Sequence, residues 1–375
     1  MKIPMTDLTR EYAQLKAEID RAVISVMEKC SFILGEDVLK FEEEFSKLNG
    51  SKYAISVASG TDALRIAMIA SGIKSKDEVI TTPFTFIATT ETISQIGAKI
   101  VFADIDEKTY NIDPSSIEKR ITSRTKAIVP VHLYGYPADM NRIMEIAKKY
   151  KLIVIEDCAQ AFTAKCRING EWKFTGSIGT CGAFSFFPAK NLGAYGDGGL
   201  ITTQNQDIAA FARLLRNHGS RERYIHETEG FNSRLDTIQA AILRIKLKHI
   251  IKATEERNRV AQKYASELKG VCIVPEVQDG YYHSFNYYTI RFENKKIRDK
   301  VSKYLSENGI ANQIYYPIPL HLQKAYSYLN YKKGDFPVAE KTAEVVLSLP
   351  MFPQLTDTEI DYITSKVKEA LKVKC

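Results

Sequence analysis

Up to about residue 205 this chain alternates short β-rich runs with helix-like segments, and few folds accommodate that pattern. The candidate strands are YAISVAS, DEVITT, KIVFADI, KAIVPVHL, KLIVIED, AFSFF and GLITT. Between the earlier ones lie TDALRIAMIASG, TFIATTETISQIG and DMNRIMEIAKKY, whose apolar residues recur every three or four positions, the helical period. Strand–helix–strand repetition predicts an α/β fold with a mostly parallel sheet covered on both faces. The run KLIVI agrees, because a strand buried on both sides loses its polar alternation. The last strands follow one another too closely for helical crossovers, so an antiparallel addition is expected.

A long helix is predicted from Leu235 to Leu268, with Leu235, Ile238, Ile242 and Ile245 on one face. Beyond it, SFNYYTIRF and NQIYYPIPL read as strands separated by a helix in KKIRDKVSKYLSENG. Two helices, VAEKTAEVVLSL and DTEIDYITSKVKEALK, close the chain. This divides the protein into a large domain over residues 1–250, including an N-terminal arm, and a smaller α+β domain over 251–375.

Composition excludes several functions. The formal charge is 52 − 45 = +7, but the basic residues are scattered among acids, with no block of five like charges and no nucleic-acid-binding motif. No stretch of eighteen apolar residues predicts a membrane span, and the N-terminus lacks an apolar signal core, so a cytoplasmic protein is expected. The six cysteines, at 30, 158, 166, 181, 272 and 375, form no CxxC pair, which argues against zinc or thioredoxin chemistry; no metal is expected.

Four short segments carry candidate chemistry. In ASGTDALRIAM, Ser59, Gly60 and Thr61 lie between a strand and a helix, where free N–H groups suit an anion; a plain helix cap is the alternative. In IVIEDCAQA, Asp157 ends a very apolar strand and Gln160 follows it, at the carboxyl edge where open α/β sheets bind ligands. Asp157 serves equally as a cap on the next segment. In SFFPAKNLGAYGDGG the glycines follow Lys190, and Asn191 replaces a hydroxyl, so this is not a phosphate-binding P-loop. Lys190 is either a surface lysine or a partner for an aldehyde. In TPFTFIATT, Phe86 is either core or a plate for a flat ring. Together, a phosphate cup, an aromatic plate, an acid for a ring nitrogen and a lysine for an aldehyde describe pyridoxal 5'-phosphate.

The ordered motifs SGTDALRIAM, TPFTFIATT, VHLYG, IEDCAQA, FSFFPAKNLGAYGDGG, LRNHGSRERY, FNSRLDTIQAAIL, YYPIPLHLQKAY and LSLPMFP strongly resemble the DegT/DnrJ/EryC1/StrS sugar aminotransferases over nearly the whole chain. The resemblance implies an aspartate-aminotransferase-like fold with a seven-stranded large domain, and a homodimer with active sites at the subunit interface. It implies that Lys190 joins the cofactor aldehyde, Asp157 pairs with the pyridine nitrogen and Phe86 stacks on the ring. By the same resemblance Gly60, Thr61 and Ser185 would hold the phosphate, with Gln160 close to the ring hydroxyl. Asn232 matches the asparagine that in this family reaches the phosphate from the partner subunit, and the resemblance implies that His321 sits near the sugar.

The implied reaction takes an amino group from a donor, in this family usually L-glutamate, and delivers it to a keto group on a nucleotide-linked (dTDP or UDP) sugar. The YYPIPLHLQKAY and LSLPMFP pair resembles members acting on 3-keto sugars more than those acting on 4-keto sugars. Intact Lys190 argues against relatives that carry histidine there and dehydrate sugars; Lys190 and Asp157 together argue against a non-catalytic regulator. Phe162 and Thr163 depart from a common His-Gly, Thr180 from an aspartate and Tyr136 from a glutamine.

Overall fold

The computed structural model describes residues 1–372, so Cys375 lies outside it. The helices are α1 (Leu8–Lys29), α2 (Glu36–Asn49), α3 (Gly60–Ala70), α4 (Ala88–Gln95), α5 (Pro114–Glu118), α6 (Met140–Tyr150), α7 (Gln206–Leu215), α8 (Thr237–Leu268), α9 (Lys295–Glu307), α10 (Pro337–Val345) and α11 (Asp357–Lys372). Strands β1 (Tyr53–Val57), β2 (Glu78–Thr81), β3 (Lys99–Phe102), β4 (Thr125–Ile128) and β5 (Ile153–Asp157) come first. Then follow β6 (Lys165–Ile168), β7 (Glu171–Phe174), β8 (Cys181–Ser185), β9 (Gly199–Thr203), β10 (Ser220–Glu222), β11 (Ile225–His226), β12 (Tyr281–Tyr282), β13 (Tyr288–Arg291) and β14 (Val346–Leu349).

The seven expected strands form one sheet in the order β1-β9-β8-β5-β4-β2-β3. Strand β9 runs antiparallel to both β1 and β8, while β8, β5, β4, β2 and β3 pair in parallel. This is the mostly parallel α/β sheet that the alternation predicts. One core packs between the sheet and α3, α4 and α7, built on Ile55, Leu64, Val79 and Ile155; another, on Ile80, Ile128, Ile143 and Val154, covers the opposite face under α6. Because β1, β2, β4, β5 and β8 point the same way, their carboxyl ends gather along one edge.

The second half forms its own core of Tyr264, Tyr288, Val301, Leu305, Leu349 and Ile363 around the β13–β14 pair. Ile3 belongs to this core: its N–H donates to Gly309 O at 2.9 Å, and its carbonyl accepts from Ala311 N–H at 2.9 Å. The expected boundary at residue 250 falls inside the continuous helix α8.

Two expected elements form differently. NQIYYPIPL is not a strand; within it only Gln313 bridges to Ser348. Pro317 and Pro319 have no N–H to give a ladder, and the segment crosses the strand ends as a strap. VAEKTAEVVLSL is not one helix: α10 stops at Val345 and the next four residues, Val346–Leu349, pair with β13. Short apolar runs suit a helix or a buried strand equally, and here the edge of β13 decides. The sequence reading also omitted the three-stranded sheet β12-β6-β7.

Candidate active site

Asp157 closes β5 with its side chain 4 % exposed. Its carboxylate accepts Thr89 Oγ1–H at 2.7 Å and the Ala159 N–H at 3.1 Å. No cation lies within ion-pairing distance of it among the described residues. Burial therefore raises its pKa, against the two hydrogen bonds and the more distant charge of Lys190. Thr89 reaches it from the first turn of α4, 68 positions away in the chain.

Lys190 sits in the turn after β8, where its N–H donates to Phe187 O at 2.8 Å. Gly193 packs so closely on this turn that a Cβ there would meet Pro188 O at 2.2 Å. Burial lowers the Lys190 pKa to about 8, and Asp157 pulls the other way. The chain thus holds a largely desolvated amine facing the field of a carboxylate that lacks a counterion.

The cup forms where α3 begins beside the end of β8. Ser59 caps the helix, its Oγ accepting the Asp62 N–H at 3.1 Å, and the first-turn amides of Gly60 and Thr61 have no intrahelical acceptor. A Cβ on Gly60 would lie 2.6 Å from Ser185 Cβ and 3.0 Å from Ser185 Oγ. Two amides at the positive end of a helix and one hydroxyl thus converge on one small space.

Phe86 is 56 % exposed at the edge of this region, 6.2 Å from the Tyr316 ring. Gln160 is buried; its Oε1 accepts the Tyr134 N–H at 2.7 Å and its Nε2 donates to the Tyr316 hydroxyl at 3.0 Å. Sequence reasoning missed Tyr316 and Thr89, because both depend on partners distant in the chain. The YYPIPLH motif held Tyr316 as a signal, but no local pattern aims it at Gln160.

Beneath Asp157, the wholly buried Glu156 accepts four N–H groups. They are His132 Nε2 at 3.0 Å, Gly176 N at 2.9 Å, Ile178 N at 2.9 Å and Gly179 N at 2.7 Å. His132 Nδ1 accepts the Ala138 N–H at 2.9 Å, so the ring is a neutral Nε2–H donor. With Cys158 these groups lie within 4.8 Å of one another, yet the carboxylate and both ring nitrogens already have partners. The His132 N–H also donates to Asp157 O at 3.1 Å, so this knot sets the backbone that carries Asp157.

Asn232 and His321 make no hydrogen bond to Asp157, Lys190 or Gln160 among the described residues. Asn232 is exposed; its neighbour Ser233 is buried, with Oγ donating to Asp62 at 2.8 Å. The His321 ring is buried against Phe102, the last residue of β3, and Phe336, with Nε2 3.0 Å from Glu340 Oε1. The departing residues have structural roles: Phe162 stacks on Phe45 at 4.6 Å, and Tyr136 on Tyr281 at 5.2 Å. Thr163 holds a φ of 70°, which disfavours a β-branched residue, with its Oγ1 2.8 Å from Thr254 Oγ1. Thr180 Oγ1 accepts the Val154 N–H at 3.2 Å.

A buried acid short of a cation, an amide-and-hydroxyl cup at a helix start, an exposed aromatic ring and a desolvated lysine fit a phosphorylated pyridine aldehyde. This sheet with this strand-end cluster defines the aminotransferase class of α/β enzymes. Over residues 13–368 the chain matches the model of the DegT/DnrJ/EryC1/StrS aminotransferase family. It is 48% identical to a pleiotropic regulatory protein of Geobacillus stearothermophilus, covering 98% of both chains. It is 46% identical, again over 98% of both, to the UDP-N-acetyl-3-dehydro-alpha-D-glucosamine 3-aminotransferase of Acidithiobacillus ferrooxidans. The solved structure of S. venezuelae DesV superposes with a TM-score of 0.95 at 39% identity over 100% of both chains. NtdA from Bacillus subtilis, solved with bound cofactor PMP, gives 0.88 at 31% identity over 96% of this chain and 82% of its own. The chain belongs to the DegT/DnrJ/EryC1/StrS aminotransferase family.

Proposed function

We propose that this protein is a pyridoxal-phosphate-dependent aminotransferase that moves an amino group from L-glutamate to the 3-keto group of a nucleotide-linked sugar. The observation that carries the reading is the pairing of Asp157, buried without a counterion, with Lys190, whose amine burial brings to a pKa of about 8. The Acidithiobacillus relative, named for a 3-amino transfer to a UDP sugar, supports the choice of acceptor. The cofactor of NtdA supports the choice of prosthetic group.

Gly60, Thr61 and Ser185 would hold the phosphate, Phe86 the ring face and Gln160 the ring-hydroxyl side. When bound, the cofactor supplies an aldehyde carbon and an electron-withdrawing ring. Asp157 would keep the ring nitrogen protonated, since a buried carboxylate favours a cation beside it. Lys190 Nζ would hold the aldehyde carbon at rest. The same amine, when free, would serve as general base for the proton on the donor's α-carbon.

The apolar side chains of Ile24, Met27, Phe32, Ile33 and Leu39 are exposed on and between α1 and α2, which supports a homodimer. In that assembly Asn232 would serve the partner's phosphate, and His321 would approach the sugar only by leaving its buried place beside Glu340. A cytoplasmic location is part of the same reading.

The test is direct. Borohydride should trap the cofactor on Lys190, and Lys190→Ala should abolish trapping; label on another lysine refutes the assignment. L-glutamate alone should convert the bound cofactor to its amine form. The Geobacillus relative's name favours a second reading, a regulator that keeps the fold. A spectrum that no amino donor changes would support the regulator. Mass detection of amino product from 3-keto against 4-keto nucleotide sugars then settles the acceptor.

A further inference from the structure

Tyr316 is a site residue that no motif of the sequence assigned. It lies on the strap that crosses the strand ends, and the strap is tied to the rim at two points. The Tyr134 hydroxyl donates to the Tyr315 carbonyl, and Leu320 N–H donates to Pro83 O at 2.7 Å. Between these ties the Tyr316 ring stands edge-on to Phe84 at 6.3 Å and tilted against Phe86 at 6.2 Å. The Tyr315 ring beside it stacks on Tyr287 at 4.1 Å, which holds the strap from its other side.

The hydrogen-bond roles follow from Gln160. Its Oε1 receives the Tyr134 N–H, so the NH2 group must face Tyr316. An NH2 group only donates, so the Tyr316 oxygen accepts. The phenolic hydrogen is then uncommitted, and among the described residues that hydroxyl has no hydrogen-bond acceptor. Burial, with the nearby Tyr287 and Asp157, raises the Tyr316 pKa well above that of free tyrosine. The group therefore stays a neutral donor across the working pH range.

We propose that the Tyr316 hydroxyl donates a hydrogen bond to the keto oxygen of the acceptor sugar, placing the carbonyl and stabilising negative charge on that oxygen when its carbon is attacked. This rests on the aminotransferase reading above. A neutral donor held in advance suits an oxygen on which charge develops, because it need not reorganise or lose its proton. L-Glutamate enters its half of the reaction as an amine, and its ketone product forms only at the release step that follows the absorbance change, so the hydroxyl should show in the absorbance of the sugar half alone.

Tyr316→Phe in the holoenzyme removes one oxygen and keeps the ring. The two half-reactions are followed separately through the cofactor absorbance, first with L-glutamate, then with a 3-keto nucleotide sugar. The first should stay within about twofold of wild type. The second should slow by about 100-fold or more, as for loss of one preorganised donor. The dissociation constant of the keto sugar, measured by calorimetry on the cofactor-bound lysine form, should rise several-fold. Equal slowing of both halves would show that the hydroxyl serves only Gln160 and would overturn the proposal, as would an unchanged sugar half-reaction. If wild type itself reacts with no amino donor, the functional reading fails first, and that outcome is distinct.

Discussion

Gly60 and Ser185 stand so close that a methyl group on the first would lie 2.6 Å from the Cβ of the second. Gly60 has no left-handed φ to require glycine; the contact alone does. The start of α3 and the end of β8 meet there, and the cup exists only while that contact stays bare. Gly60→Ala should weaken cofactor binding by about tenfold or more, ~1.4 kcal/mol. Overpacking should also cost about 1–3 kcal/mol of stability. Equilibrium dialysis of pyridoxal phosphate and urea unfolding measure the two effects.

Asp157 leads to a pH dependence of the cofactor-free protein. Its folded pKa is raised above the ordinary carboxylate value of 3.8, so the folded state binds its proton more tightly than the unfolded chain. Stability is then greatest below that value and falls as pH rises through the raised pKa, by up to about 1.4 kcal/mol per pH unit for one proton. Asp157→Asn should remove this slope from urea titrations and slow conversion by L-glutamate. An identical slope in the variant would show that the carboxylate is not strained by burial.

For Lys190, the reactive form toward an aldehyde is the neutral amine. With its pKa near 8, the rate of pyridoxal phosphate capture by the cofactor-free protein should climb with pH and level off above a midpoint near 8. Stopped-flow absorbance at a series of pH values reads this midpoint. A value near that of free lysine would contradict the buried setting.

Glu156 accepts four N–H donors on two oxygens. Glu156→Gln replaces one oxygen with an NH2 group facing donors, leaving buried N–H groups unpaired at about 1–3 kcal/mol each. A loss of roughly 3 kcal/mol in urea unfolding is expected, with weaker retention of the cofactor because the His132–Asp157 backbone link loosens. Full stability would mean that the four contacts are dispensable.

The sheet and its strand-end residues were legible because they leave local marks. KLIVI shows by its unbroken apolar run that β5 is buried on both faces, and the acid that follows must then lie at the carboxyl edge. Lys190 was legible for the same reason, sitting just past AFSFF. NQIYYPIPL was misread because its apolar residues allow a strand, while two prolines and contacts at Pro83 and Tyr134 make it a strap. His321 was assigned by resemblance alone, and its neighbours Phe102, Phe336 and Glu340 come from segments that no local pattern links to it.

Periodicity and strand order are properties of neighbouring residues, so the chain written in one line already implied the α/β sheet, the long helix α8 and the edge on which Asp157 and Lys190 lie. Whether Thr89 meets Asp157, Gln160 aims at Tyr316 and Gly60 closes on Ser185 was settled only by packing. These partners come from segments 68, 156 and 125 positions apart, brought together by burial of separate apolar faces. No local preference encodes such a distance: the order of strands in the sheet brings the first and third pairs together, and packing of the strap on the first core brings Tyr316 to Gln160.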